Sequence, residues 1–168
     1  GDGTFRLVAD RVPPGTPLAI LPLGTENLLA RYLEMTADPS RLAKLIAAGC
    51  TVSLDAGRAG GQLFSLMAGC GFDAEVVRRL HEGRSGNIHH LSYAKPILDA
   101  IRSYDYPELR LHYAPNEKAL NEKAPSGTEE LTEQITARWA FVVNLPRYAG
   151  GLQFAPQASG SDGLLDVC

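Results

Sequence analysis

With 168 residues, 45% of them hydrophobic and 21% charged, the chain is long enough to bury a core and too apolar for wholesale disorder. Sixteen lysines and arginines against nineteen acids give a net charge of −3, which lends no support to a bulk electrostatic grip on nucleic acid or anionic lipid. The uncharged run Ala59–Phe72, which no other exceeds, is short and glycine-rich and cannot span a bilayer.

The chain opens on Gly1-Asp2-Gly3-Thr4, which reads as the inside of a loop, so an internal segment of a longer protein is expected. Phe5, Val8, Ala9 and Val12 then recur at helical spacing behind a candidate N-cap at Thr4, and Pro13-Pro14-Gly15 ends that helix. Leu18–Leu21 suits a buried parallel strand that runs into Pro22-Leu23-Gly24-Thr25. A second helix carries Leu28, Leu29, Tyr32 and Leu33. A third is bracketed by Asp38 as N-cap, Pro39 at its first position and Gly49 past its end.

Helix, strand, glycine loop and helix are the rhythm of an α/β layer. After Gly49 the pattern changes. Thr51–Asp55 and Gln62–Met67 read as strands around a turn at Gly57–Gly61, and Asp73 caps a helix that stops at Gly83. Asn87–Tyr104 is a helical stretch bent at Pro96; Leu109–Tyr113, Thr136–Val143, Leu152–Phe154 and Leu164–Val167 are strands. The domain change is placed near residue 49. Residues 115–134 form a polar loop with five glutamates and two lysines, which holds the whole net charge and contains a short duplication, Asn116–Ala119 and Asn121–Ala124. Cys50, Cys70 and Cys168 form no CxxC pair, and the odd count fits a reducing, cytoplasmic setting.

Four stretches could carry chemistry. Gly1-Asp2-Gly3-Thr4 at a helix start lets backbone N–H groups approach a phosphate, with the Asp2 carboxylate available for a hydroxyl or Mg²⁺; taken alone, an ordinary turn and N-cap is the better explanation. Pro22–Asn27 lies at a strand end, where open α/β sheets bind ligands, and Thr25 and Asn27 offer a hydroxyl and an amide; a capped helix is the other explanation. Gly69–Val76 lets a strand end pack tightly against the next helix. Finally, Ser159–Leu164 places Asp162 beside backbone carbonyls, suited either to a hard cation or to a simple Ser-Asp-Gly turn.

In this order the four stretches resemble the diacylglycerol kinase catalytic-domain family, which includes bacterial lipid kinases and sphingosine kinases. Gly1–Thr4 resembles the end of its GGDGT signature, Pro22–Asn27 its PLGTGN loop, Gly71–Val76 its GFDAEV segment and Ser161–Val167 its DDGLLDV segment. The resemblance implies a fold of α/β plus β-rich class. Residues 1–49 would be part of a NAD kinase/diacylglycerol kinase-like nucleotide domain. Residues 50–168 would be an incomplete β-sandwich-like lipid-substrate domain with inserted helices. It also implies phosphorylation of a lipid hydroxyl by ATP with Mg²⁺. Gly1, Asp2, Gly3, Thr4, Phe5, Arg6, Gly24, Thr25 and Asn27 would line the nucleotide site. Asp162 would bind Mg²⁺ through its side chain, and Ser159 and Leu164 through their carbonyls. The family's general base lies in a downstream DGE motif, so this segment alone is expected to be inactive. The partners implied are a lipid substrate and no nucleic acid, with peripheral contact at the inner face of a membrane and a homodimer left open. Arg6, Leu7, Glu26, Leu28 and Leu66 depart from the family pattern. Leu7, Glu26 and Leu28 motivate one alternative, a non-catalytic nucleotide- or lipid-binding pseudokinase. GGDGT is shared with NAD kinase-like enzymes, a second alternative against which Pro22–Thr25 and Ser161–Val167 argue.

The histidines carry no motif. His89 and His90 are adjacent and diverge by about 100° on a helix, and His81 and His112 stand alone. Trp139 is expected in a core or lipid-side wall, and Arg78, Arg79 and Arg84 on a solvated helix face.

Overall fold

The computed structural model describes residues 1–82, 94–113, 133–148 and 152–168. The histidine pair, Arg84, the start of the 87–104 stretch, Gly150-Gly151 and residues 115–132 of the polar loop lie outside the described residues. Residues 133 and 134 of that loop open a strand.

The chain divides into two compact units. One comprises 1–68, 84–92 and 141–168; the other comprises 69–83 and 93–140. The architecture is mixed α/β with small sheets.

In the first unit, α1 spans Asp2–Ala9 with Gly1 as N-cap, so Thr4 lies within the helix rather than at its start. The helix closes where Arg11 and Val12 N–H groups donate to the Val8 carbonyl, before the two prolines forbid another turn. Leu18–Leu21 forms no ladder among the described residues: a run of strand-forming side chains needs a neighbouring backbone to become a strand. Helix α2, Leu28–Tyr32, buries Leu28, Leu29 and Ala30. Helix α3, Pro39–Ala48, has the expected cap, with Ser40 N–H donating to Asp38 Oδ1 at 2.8 Å, and the expected left-handed Gly49 at φ 66°.

The anticipated hairpin is shorter than its sequence pattern. β1 (Gly57–Ala59) pairs antiparallel with β2 (Gln62–Phe64) around Gly60-Gly61, both at positive φ as a tight two-residue turn requires. Thr51–Asp55 is not part of it. β3 (Met67–Gly71), β6 (Trp139–Val143) and β7 (Asp166–Val167) form a three-stranded sheet in the order β3-β6-β7. Behind it sits a core of Phe141, Val143, Ala155 and Ala158, joined by Met67 and Tyr148. Phe154 stacks on Phe141 with ring centres 5.0 Å apart.

The second unit holds α4 (Phe72–Glu82), α5 (Ala94–Ser103) and the antiparallel pair β4 (Leu109–Tyr113) and β5 (Glu133–Ala137). The single strand expected over 136–143 is therefore two, because the chain changes sheets at Arg138. Pro96 is the third residue of α5 as described; the stretch before Ala94, against which a bend was expected, lies outside the described residues. Gly71 has φ 93°, and a Cβ there would lie 2.7 Å from the Arg138 carbonyl oxygen, so only glycine fits. The next residue, Phe72, anchors an aromatic cluster with Tyr104, Tyr106 and Trp139.

Candidate active-site loops

The first unit holds three of the four sequence motifs, and the first two meet directly. Gly1 and Gly24 meet backbone to backbone: a Cβ on Gly24 would sit 2.7 Å from the Gly1 Cα and 2.9 Å from Asn27 Oδ1. Glycine at both positions is what lets the two loops touch. Asn27 closes the second loop from within. Its Oδ1 accepts the Gly24 N–H at 2.8 Å, its Nδ2 donates to the Gly24 carbonyl at 2.5 Å, and its own backbone adopts φ 50°. That conformation is one asparagine tolerates better than most residues.

Asp2 ties the loops in a way its neighbours in sequence did not suggest. Leu28 N–H donates to Asp2 Oδ2 at 3.0 Å and Leu29 N–H to Asp2 Oδ1 at 3.1 Å. The N-cap residue of α2, Asn27, makes no side-chain capping bond, so a carboxylate 26 residues upstream caps that helix instead. The side chain assigned to a hydroxyl or Mg²⁺ thus has both oxygens on the start of α2. A Cβ on Gly3 would meet nothing within 4 Å, so that position of α1 faces open space.

The remaining nucleotide-side candidates separate by role. Arg6 Nη1 donates to Gln62 Oε1 at 2.8 Å, joining α1 to the hairpin. Asp10 strengthens the same junction by accepting from Arg58 Nη1 at 3.2 Å and from Leu63 N–H at 3.3 Å. Phe5 lies half-buried against a cavity of about 260 Å³, whose walls include Ala9, Val12, Leu54 and Leu63 and whose sole ionisable lining residue is Asp55. Thr25 is exposed on the glycine loop. Glu26, which would set an anion near phosphate, lies 3.9 Å from the Arg31 guanidinium.

The late loop is pinned at three points. Gly160 N–H donates to the Tyr32 hydroxyl at 3.2 Å, Asp55 N–H to the Gly160 carbonyl at 2.7 Å, and Gly163 N–H to Asp55 Oδ2 at 2.7 Å. Asp162 Oδ1 accepts the Leu164 N–H at 3.0 Å, so two carboxylates hold successive N–H groups of one turn. Below them, Asn144 is buried and donates to the carbonyls of Asp55 and Ser65, each at 2.8 Å. The oxygens expected to hold Mg²⁺, from the Asp162 side chain and the Ser159 and Leu164 carbonyls, are of the donor type a hard cation takes. No cluster of three or more potential His, Cys, Asp or Glu ligands occurs among the described residues, so such a cation would rest on this single loop.

Tyr32, Asp55 and Asn144 were not anticipated as site residues. Asp55 left a faint signal, as an acid ending an apolar run before a glycine turn. Tyr32 gave none, because its hydroxyl reaches a loop 128 residues away. The GFDAEV-like segment lies in the second unit. There Glu75 accepts from Arg78 and Arg79, and Arg78 also donates to Glu82. The hydrogen bonds from Arg78 and then Arg79 hold the Glu75 carboxyl at about 2. Arg79 is thereby occupied in an intrahelical network.

Comparison with known proteins agrees with the loop order. Residues 1–59 match the diacylglycerol kinase catalytic domain, and residues 67–168 match the YegS C-terminal NAD kinase beta sandwich-like domain. A diacylglycerol kinase of Mycobacterium tuberculosis is 32% identical over 99% of this chain, which covers 52% of that protein. A probable lipid kinase YegS-like of Pseudomonas aeruginosa is 30% identical over 99% of the chain and 51% of its own length. The crystal structure of a diacylglycerol kinase from Bacillus anthracis superposes with a TM-score of 0.60 at 26% identity, over 99% of this chain and 50% of that one. The chain thus spans about half the length of the relatives it matches. With both of its matched segments drawn from one enzyme architecture, the chain belongs to the diacylglycerol kinase/YegS-like lipid kinase family.

Proposed function

We propose that the protein acts in ATP- and Mg²⁺-dependent phosphorylation of a lipid hydroxyl, with residues 1–49 contributing to the nucleotide side and residues 50–168 to the lipid side. The observation that carries this reading is the joint assembly of the Gly1–Thr4, Gly24–Asn27 and Ser159–Leu164 loops around Asp2, Tyr32 and Asp55. Phosphoryl transfer needs positioning and charge stabilisation more than covalent chemistry. The open turn at Gly3 offers backbone N–H groups to phosphate, and Thr25 adds a hydroxyl from the adjoining loop. Asp162, with the Ser159 and Leu164 carbonyls, would hold Mg²⁺, which when bound offsets phosphate charge. Asp55 and Tyr32 fix that loop's backbone against the nucleotide side. The general base is assigned to a residue outside these 168, so the segment alone binds nucleotide without transferring phosphate.

Titration calorimetry with ATP and Mg²⁺, paired with radiolabelled phosphoryl transfer to diacylglycerol and sphingoid bases in detergent micelles, tests this on the segment and on the longer protein. Binding by both and turnover only by the longer protein is expected. Absence of ATP binding by both would overturn the nucleotide assignment. A pseudokinase is the second reading, favoured by the engagement of both Asp2 oxygens on α2; binding without turnover by the longer protein would select it.

A further inference from the structure

We infer that Asn144 is a positioning residue for the 159–164 loop: acting through Asp55, its buried amide sets the loop that the reading above gives to Mg²⁺. The inference rests on that reading for the cation and on the geometry of the first unit for the rest. Asn144 is 1% exposed, and its Nδ2 donates at 2.8 Å to two carbonyls, those of Asp55 and Ser65. Two carbonyl oxygens around one atom require a donor there, which fixes the orientation of the amide. Its Oδ1 is buried and accepts no hydrogen bond among the described residues. An orphaned acceptor is a cost to folding, so what the amide contributes at this place is its pair of N–H groups.

Asp55 and Ser65 flank the β1–β2 hairpin, and Asp55 carries the connection onward to the loop. Its N–H donates to the Gly160 carbonyl and its Oδ2 accepts the Gly163 N–H, each at 2.7 Å. Gly160 and Gly163 adjoin Ser159 and Leu164, whose carbonyls are the proposed cation donors. The residue after Asn144 adds a steric seat. The Asn144 and Leu145 N–H groups share the Leu66 carbonyl at 2.8 and 3.1 Å, and a Cβ on Gly160 would lie 2.4 Å from Leu145 Cδ2. The two residues that follow β6 thus hold the loop by an amide relay and by packing. Groups one step removed from metal ligands govern affinity by orienting those ligands.

Two readouts on the full chain test the inference: amide hydrogen exchange at Asp55 and Gly163, and binding of Mn²⁺, used in place of Mg²⁺ and followed by electron paramagnetic resonance. Asn144→Leu keeps the branched shape and removes both donors. It is expected to speed exchange at both amides about tenfold or more and to weaken Mn²⁺ binding about tenfold. Asn144→Ser retains one donor and should fall between; it carries the test if the leucine variant does not fold. Val143→Ala shortens a fully buried neighbour and should lower the thermal midpoint without weakening Mn²⁺ binding. A Mn²⁺ loss that Val143→Ala reproduces at equal loss of stability overturns the inference, because the role of Asn144 would then be structural only. So does Mn²⁺ binding that depends on Asp162 and is unmoved in folded Asn144 variants, or exchange at Asp55 and Gly163 that stays at the parent rate. If the parent binds no Mn²⁺, or Asp162→Asn binds it equally well, the Mg²⁺ reading fails by itself, and faster exchange at those two amides in Asn144→Leu still supports the positioning role.

Discussion

Replacing Asp2 by alanine is expected to destabilise the first unit, because the carboxylate is the cap of a helix that has no other. Helix α2 is five residues long, and its N-cap residue contributes no side-chain acceptor. Asp2 supplies two charge-assisted bonds, 3.0 and 3.1 Å, to the N–H groups of Leu28 and Leu29, whose side chains are buried. Loss of an ordinary cap costs about 0.5–2 kcal/mol, and bonds to a charged acceptor lie toward the upper end, so about 2 kcal/mol is a reasonable figure. For a chain of this size that corresponds to a fall of about 4–8 °C in the thermal midpoint. Asp2→Asn keeps one acceptor oxygen but loses the charge, and should fall by about half as much. Thermal unfolding followed by circular dichroism reads the order directly: parent, then Asn, then Ala. A midpoint unmoved in Asp2→Ala, with ATP or Mg²⁺ binding lost instead, would refute the capping role and return Asp2 to the ligand.

Three further outcomes follow from contacts of the same kind. Gly24→Ala places a methyl against the Gly1 backbone and should cost about 1–3 kcal/mol while weakening ATP binding, measured by unfolding and calorimetry together. Tyr32→Phe removes the acceptor of the buried Gly160 N–H, so about 1–2 kcal/mol of stability should go, with faster amide exchange in the 159–164 loop as the specific readout. Glu75 is held at about 2 by Arg78 and Arg79, below its ordinary 4.5, so its contribution is present above pH 4.5 and disappears as pH falls toward 2. Glu75→Gln should therefore flatten the loss of α4 helicity across that window, and an unchanged acid transition would contradict the assignment.

What could be read in advance depended on how local the determining physics was. Helix α3 is legible because Asp38, Pro39 and Gly49 act within one turn of its ends. Of the hairpin, only the turn glycines and the strand starting at Gln62 were legible: its first strand, Gly57–Ala59, lies inside the stretch expected to be turn, and Thr51–Asp55, expected as that strand, takes no part. The strand expected at Leu18–Leu21 and the single strand over 136–143 were misread because pairing is set by distant backbone. No periodicity marks that Arg138 is where the chain leaves one sheet for another. The loops were legible as motifs, but their connections were not. A carboxylate looks the same in sequence whether it faces solvent, a metal or an N–H group 26 residues on.

Asp2 and Asp55 use one device twice, and the consequence bears on where an anion can bind. Each carboxylate satisfies backbone donors of a different segment: Asp2 at the start of α2, Asp55 at Gly163 in the late loop. A helix start already carrying a carboxylate no longer attracts phosphate, since its positive end and its exposed donors are both neutralised. The buried Leu28, standing where the resemblance leads one to expect an acid, gives up no ligand at this point, because its N–H faces Asp2 and its side chain faces the core. On the proposed reading, the places left for phosphate would be Gly3 on α1 and the exposed Thr25 on the loop that Gly24 holds against Gly1. On that reading, these internal carboxylates would set the loops before a nucleotide arrives and would narrow the phosphate position to the α1 side of the glycine contact.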